Sequence, residues 1–539
     1  MGDLALPSQH PAVVLALVRW MRLAKHVFEQ EPSYGVPVSD DQPETSAFKY
    51  IDLFAGIGGF HAVLDAMGGE CVYAVEIDPA AQRVYEANWG AKPLGRNAKG
   101  DITIDTQSAS EVDVPEHDVL VAGFPCQPFS KSGAQRGMDE TRGTLFFDIL
   151  RIIEDRKPAV VLLENVRNLA GPRHTHEWDI IIDTLRKKGY RVSHTAAVLS
   201  PVKVAPEFGG HPQTRDRVFI AATRVMPERL TPAGADAIER KEVVLPSPLD
   251  EVEPISLDRI KMTRAWDLME DLPLDRDNVG GPSVSSAEWK WIDHWDTFVQ
   301  KAREMLAHEA DAEGRPANEL PGFPIWANMW TTSEAERVEE LRKAAGMAWK
   351  VSHLTNNYRL HDRLRAFDSK WTAKWLGTTR SFPESRQKLE WQAQQAGSIR
   401  DCVISMRPSG LRVKRLTHLP ALVAISQTPI IGPLQRRLTI QEGALLQGLP
   451  SEFSWAGQKE AATWKQLGNG VNSGIVAQAL AAQIERDAWF LELDERGRLV
   501  VEAVRKTIVD TDGGDLREKV REAVLRGQAK ARSTAEPQT

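Results

Sequence analysis

Tyr50-Ile51-Asp52-Leu53-Phe54 followed by Ala55-Gly56-Ile57-Gly58-Gly59-Phe60 is the stretch that decides the fold. Its first half is β-type and apolar, and its second half is a glycine turn. A helix from His61 to Met67 follows, then a second strand, Cys71-Val72-Tyr73-Ala74-Val75, which ends in Glu76-Ile77-Asp78. Strand, glycine turn, helix and strand make a βαβ unit, the building block of a doubly wound parallel sheet. Glycines at the first crossover let backbone N–H groups approach a ligand at a helix N-terminus. Glu76 stands 20 residues beyond Gly56, at the tip of the second strand, where a carboxylate can accept hydrogen bonds from ribose hydroxyls. The unit predicts an adenosine-type cofactor and leaves nicotinamide and S-adenosylmethionine both open.

Beyond this unit, Gly100-Asp101-Ile102 supplies another loop acid. Asp118 to Ala122 reads as a buried strand that delivers Gly123-Phe124-Pro125-Cys126-Gln127-Pro128-Phe129-Ser130. A polar segment with Gly133, Gly137 and Gly143 comes next, and Gln127–Gly143 reads as a lid. A lone cysteine is more often a small core residue than a nucleophile. Cys126 has company, however. Leu145 to Ile153 reads as a helix, and Ala159-Val160-Val161-Leu162-Leu163 as a central strand ending in Glu164-Asn165-Val166. Strand tips on one edge of such a sheet share a crevice, so a thiol and a carboxyl face one pocket. Gln213-Thr214-Arg215-Asp216-Arg217 adds two arginines before the strand Val218–Ala222.

Composition sets the outer limits. A chain of 539 residues, 42% hydrophobic and 26% charged, exceeds what one core usually serves, so a large domain and a second one are expected. The three cysteines, Cys71, Cys126 and Cys402, are far apart and form no CxxC, which points to a reducing cytoplasm, with no disulfide framework and no metal site. No apolar run reaches the ~20 residues of a membrane span. The net charge of −7 does not suggest a polyanion partner, but its distribution does. From Lys350 to Pro420 there are 14 Lys or Arg against 5 Asp or Glu.

The motifs DLFAGIGG, VEID, GDI, GFPCQPFS, RGTLFFDIL, LLENV, QTRDR, RRLTIQEGALLQGLP and LGNGVNSG stand in this order over about residues 48–222 and 436–485. In that order the chain resembles the bacterial-type DNA (cytosine-5)-methyltransferases. The resemblance implies an α/β, Rossmann-like methyltransferase domain with a smaller inserted target-recognition domain. It divides the chain into an N-terminal helix and linker (1–47), a catalytic and cofactor-binding core (48–222), a recognition domain (223–435), returning motifs (436–490) and a helical tail (491–539). It implies S-adenosyl-L-methionine as cofactor, held by Phe54, Gly56, Gly58, Gly59, Glu76, Ile77, Asp101, Ile102, Pro125, Leu145, Asn469 and Val471. Gly470 departs from the Ser or Ala usual in the family.

The catalytic roles fall to Cys126, Glu164, Arg217 and Arg215. Covalent addition of a thiolate to C6 makes cytosine C5 enamine-like. Glu164 can protonate N3, and the arginines can orient the ring. The expected partner is double-stranded DNA, with the target base flipped out, contacted by Gln127, Ser130, Arg407, Arg412, Lys414 and Arg415. The last four lie in Arg407–Arg415, read as a basic loop. A cognate restriction endonuclease would accompany the enzyme without touching it, and the chain would act as a monomer in the cytoplasm. The alternatives are a tRNA cytosine-5 methyltransferase, whose branch shares the core motifs, and a DNA-binding regulator without turnover. Ten of the 16 tryptophans fall in 223–435, chiefly as the core of the recognition domain.

Overall fold

The computed structural model describes residues 46–107, 113–125, 145–274, 283–422, 428–509 and 516–535. The N-terminal helix and linker, Cys126 with the lid Gln127–Gly143, and the Asp510–Gly514 turn lie outside the described residues.

The βαβ unit forms as read. Strand β1 (Phe48–Leu53) leads through the glycine turn into helix α1 (Gly59–Ala66), then β2 (Gly69–Val75) and α2 (Pro79–Trp89). Next come β3 (Val119–Gly123), α3 (Leu145–Arg156), β4 (Val160–Val166), α4 (Thr175–Lys187), the short strands β5 (Tyr190–Arg191) and β6 (Ala197–Leu199), and β7 (Arg217–Arg224). The sheet runs β2-β1-β3-β4-β7-β5, with β6 also paired to β7. The pairings of β1 with β2, of β1 with β3 and of β3 with β4 are parallel, and β7 is antiparallel. The central strands are apolar throughout because both faces are covered. Val121 and Leu162 point into one cluster, shared with α1; Leu120, Leu163, Ile149 of α3 and Ile181 of α4 form the other. Strand order reverses at β1, so the crevice for a ligand opens at the C-terminal ends of β1 and β3.

Strand β4 is longer than the apolar run suggests. Glu164, Asn165 and Val166 remain paired because β7 lies alongside them, with Glu164 opposite Phe219 and Val166 opposite Arg217.

The inserted region builds a second sheet, ordered β13-β12-β10-β11-β9-β8. Its strands are β8 (Pro324–Trp326), β9 (Lys388–Gln392), β10 (Val403–Arg407), β11 (Gly410–Lys414), β12 (Ile430–Ile431) and β13 (Arg436–Arg437). Helix α5 (Ser286–Glu313) starts with a full capping box between Ser285 and Glu288 and packs its apolar side on this sheet. Trp295, Trp330, Trp375 and Trp391 are buried in the same cluster, as the tryptophan count predicted. Two readings change here. Arg407–Arg415 is a β-hairpin, not a loop. The sheet also takes in Arg436 and Arg437, one step past the expected boundary at 435.

The returning segment forms the helices Ile440–Leu446, α6 (Glu460–Asn469) and α7 (Ser473–Leu491), and the tail forms Glu495–Val504 and α8 (Leu516–Ala535). The tail is not a loose addition. Helix α8 lies on α1 and α2, with Val520 and Val524 in the same cluster as Val63 and Val84.

Candidate active site

A cavity of about 490 Å³ opens where the strand order reverses. Its floor is the glycine turn. Phe54 takes a φ of 57°, a left-handed conformation unusual for an aromatic residue, and such strain concentrates at functional sites. Gly58 is the N-cap of α1 at φ 87°. A Cβ there would sit 2.0 Å from the Trp89 indole nitrogen, so this glycine serves the turn from behind while Gly56 and Gly59 line the cavity.

Glu76 ties the two strand ends together. One carboxylate oxygen accepts the Gly56 N–H at 2.9 Å and the other the Asp78 N–H at 2.7 Å. Burial raises its pKa, against the pull of these two amides. Ile77 is 63% exposed, which is unusual for isoleucine and leaves an apolar face on the cavity wall. Asp101 caps the short helix Ile102–Gln107, accepting from the Thr103 N–H at 3.0 Å, and lines the cavity together with Ile102. Leu145, at the start of α3, and Pro125 add apolar surface. From the far end of the chain, Asn469 and Val471 close the opposite wall.

The other side of the same cavity carries Glu164 and Arg217. Arg217 Nε lies 2.9 Å from Glu164 Oε1, with both side chains largely buried. Burial pushes the Glu164 carboxyl above its usual range, and the positive charges of Arg217 and Arg215 oppose that shift without cancelling it. The shift favours the protonated form of the carboxyl, the form that can donate. Arg215 is not on the cavity wall. It is 1% exposed, and its guanidinium donates to the carbonyls of Leu422 (3.3 Å), Gly468 (2.9 Å) and Gly470. It therefore fixes the Gly468–Gly470 turn from behind, through backbone atoms that a glycine supplies as well as a serine.

Three wall residues were given no role in the motif reading, although Asn165 stands within LLENV. Asn165 donates to the Phe124 carbonyl at 2.9 Å, which fixes the end of β3 one residue before Pro125. Lys465 of α6 reaches Asp78 across the mouth of the cavity, Nζ to Oδ2 at 3.1 Å, and Gln466 lies beside it. The partner of Asn165 is 41 positions away and that of Lys465 is 387 positions away.

Arg407, Arg412, Lys414 and Arg415 lie on the second sheet and just after it, away from this cavity. Gln127, Ser130 and Cys126 are outside the described residues. The other two cysteines are poor nucleophiles, since burial pushes the Cys71 and Cys402 thiols up to about 12.

Residues 48–486 match the family described as C-5 cytosine-specific DNA methylase. Among relatives, the Type II methyltransferase M.AluI of Cellulosimicrobium cellulans is 43% identical over 87% of this chain and 98% of its own length. The Type II methyltransferase M.HhaI of Haemophilus parahaemolyticus is 42% identical over 35% of this chain and 52% of its own. A solved structure of a putative DNA modification methyltransferase encoded within an E. coli prophage aligns at a TM-score of 0.39 and 17% identity, covering 81% of this chain and 99% of that one.

Proposed function

The chain belongs to the C-5 cytosine-specific DNA methylase family, and from this premise we propose that it methylates C5 of a flipped-out cytosine in a specific duplex DNA sequence, using S-adenosylmethionine and a covalent bond from Cys126 to C6. One observation carries the reading. A glycine turn with Glu76 and Asp101, and a buried Glu164–Arg217 pair, face the same cavity, and Pro125 on its wall is bonded to Cys126.

The residues present fit the cofactor. The cavity is of the size that holds a nucleoside-sized ligand, Glu76 and Asp101 offer acceptors, and Phe54, Ile77, Ile102 and Leu145 offer apolar walls. When bound, S-adenosylmethionine supplies an electrophilic methyl group.

The chain's own groups make cytosine reactive. The Cys126 thiolate adds to C6, and the electron pair displaced from the ring double bond becomes available at C5. Glu164 delivers a proton to N3, which neutralises the charge that addition creates. Arg217 holds Glu164 in place and presents its remaining N–H donors to the ring oxygen. Arg215 acts as a positioning residue for the wall at Gly468–Gly470. After methylation the C5 proton leaves, the C6–S bond breaks and the thiolate is restored.

The partner is double-stranded DNA. Gln127 and Ser130 approach the emptied stack, and Arg407, Arg412, Lys414 and Arg415 contact the flanking duplex. A restriction endonuclease of the same specificity is the companion suggested by relatives named Type II methyltransferases. We take the chain to act as a monomer in the cytoplasm.

The test is incubation of the protein with labelled cofactor, mixed-sequence duplex and tRNA together, then bisulfite sequencing. The expected result is 5-methylcytosine at one recurring sequence. Label in tRNA alone, or in neither nucleic acid, contradicts the proposal.

A further inference from the structure

The second sheet has one face in the core of its domain; the other is covered at Val403 and Ile431 by a second apolar cluster and carries polar residues toward the β10–β11 turn. Alternation along the strands assigns the residues. Leu389, Trp391, Ile404, Met406, Leu411 and Val413 point inward. On the outer face, Ser405 lies opposite Arg412 across the β10–β11 hairpin, and Glu390 and Gln392 of β9 lie beside Arg412 and Lys414. Arg407 belongs to the same face, two residues beyond Ser405.

The charges on this face do not balance. Glu390 pairs with Nε of Arg412, and the two side chains are 19% and 26% exposed. Elsewhere in the domain arginines find a carboxylate, as Arg337 with Asp362 at 2.6 Å and Arg400 with Asp293 at 2.6 Å, or a backbone carbonyl, as Arg386 with that of Arg407 at 2.9 Å and Arg380 with that of Trp330 at 3.1 Å. Arg407 and Lys414 form no ion pair among the described residues, although both are half-buried. Burial, reinforced by the charge of Arg412, lowers the pKa of each. A face that half-buries three cations beside one carboxylate is completed by an anionic partner.

The face does not line the cavity, but the chain that leaves it docks beside the cavity wall. Strand β11 runs on to Leu419, whose N–H donates to the Pro212 carbonyl at 2.8 Å and whose carbonyl accepts from the Thr214 N–H at 2.9 Å. Thr214 is three residues before Arg217 of the cavity wall. Five residues separate Lys414 from Leu419, a span of at most ~17 Å.

Arg412 is set apart by how it is held. The Glu390 carboxylate takes its Nε–H, and the two terminal amino groups have no hydrogen bond among the described residues. An arginine fixed at Nε with both Nη groups free presents a rigid planar fork. That fork matches the O6 and N7 acceptors of guanine in the major groove, which is wide enough to admit a two-stranded β-ribbon. A lysine ammonium keeps the charge but lacks the planar, preorganised fork, and a half-buried lysine beside it is suited to a phosphate as a point charge.

Resting on the DNA-methylation reading above, we infer that the β10–β11 ribbon enters the major groove, where Arg412 reads a guanine, Glu390 positions Arg412, and Arg407 and Lys414 neutralise flanking phosphates. Glu390 is thus a specificity-determining residue that contacts no base, and the ribbon works through the outer face of a sheet whose inner face is plain core.

The experiment measures kcat/KM for methylation of the preferred duplex and of duplexes changed at each base pair in turn. The proteins are the parent, Arg412→Lys, Glu390→Gln and Lys414→Ala, with cofactor affinity recorded for each as a check on folding. Arg412→Lys keeps the charge and loses the fork, so it relaxes discrimination at one G·C pair by about 10- to 100-fold. Glu390→Gln is nearly isosteric and relaxes the same position by less. Lys414→Ala weakens binding of all duplexes alike and lowers the salt slope by about one. If Arg412→Lys and Glu390→Gln slow every duplex equally, or leave discrimination as in the parent, the guanine assignment is overturned. A parent that methylates no duplex overturns the functional reading itself, whereas a discriminating parent beside equally discriminating variants overturns only the ribbon assignment.

Discussion

At the scale of single residues, burial and charge act on Glu164 in opposite directions. Burial raises its carboxyl, and Arg217 is the nearer of the two cations that lower it. Removing Arg217 therefore raises the Glu164 pKa further. The acid form is the one required for proton delivery to N3, so it persists to higher pH in the variant. Arg217→Ala should reduce activity overall and move the alkaline limb of the pH–rate profile upward; a limb that stays put or moves down would show that Glu164 does not set it. Glu76 gives a second prediction. Its carboxylate accepts backbone N–H groups from both sides of the turn. Glu76→Ala should weaken S-adenosylhomocysteine binding by about 1–3 kcal/mol in a calorimetric titration, the range for bonds to a charged group. Unchanged affinity would put the ribose elsewhere. Glu76 and Glu164 were legible because each ends an apolar strand run, and Arg217 because it directly precedes one. Asn165 and Lys465 were not, since their value lies in partners at Phe124 and Asp78 that folding alone brings near. Arg215 illustrates the converse case. It sits in a motif as if it faced substrate, but it holds three carbonyls.

Among the elements, RRLTIQEG carries its own explanation. Arg436 and Glu442 form a buried ion pair, 2.6 Å at its shorter contact, and Glu442 also closes a capping box with Thr439. The pair joins the last strand of the second sheet to the helix that returns to the core. Removing one partner leaves the other charge buried and uncompensated, so Arg436→Met should cost about 3–5 kcal/mol in denaturant unfolding. A loss below ~1 kcal/mol would mean that the neighbourhood rehydrates Glu442. The hairpin at Arg407–Arg415 was hidden for an opposite reason. Four cations and a Pro-Ser-Gly turn suggest a loop, while Ile404, Met406, Leu411 and Val413 keep the period of two that a strand pair needs. Long apolar strands such as β3 and β4 were plain from the sequence because burial on both faces leaves no room for polar residues.

Across the whole molecule, the sheet order puts one cavity at the reversal beside β1, and every later segment is arranged around it. The second sheet joins the core through Leu419 beside Pro212 and Thr214, α6 supplies the far wall, and α8 braces α1 from outside. The sequence reads 491–539 only as a helical tail, because charged helical stretches give little sign of what they pack against. Tertiary packing supplies that sign, since Leu516, Val520, Ala523 and Val524 are buried. Ending the chain before Leu516 should lower unfolding stability by several kcal/mol, at roughly 1.5–3 kcal/mol per large aliphatic side chain exposed; a truncated protein with the parent's denaturation midpoint would show that α8 is dispensable.

The central claim is that cofactor cavity and cytosine pocket meet at Cys126. The most direct measurement uses a duplex carrying 5-fluorocytosine at the methylated position, with S-adenosylmethionine present. Fluorine cannot leave as the C5 proton does, so the thiolate remains bonded to C6. The account predicts a protein–DNA complex that survives denaturing electrophoresis in the parent and is absent in Cys126→Ser, while both proteins bind cofactor alike. A serine variant that methylates at the parent's rate, or a parent that methylates the unmodified site without ever forming the trapped complex, would contradict it.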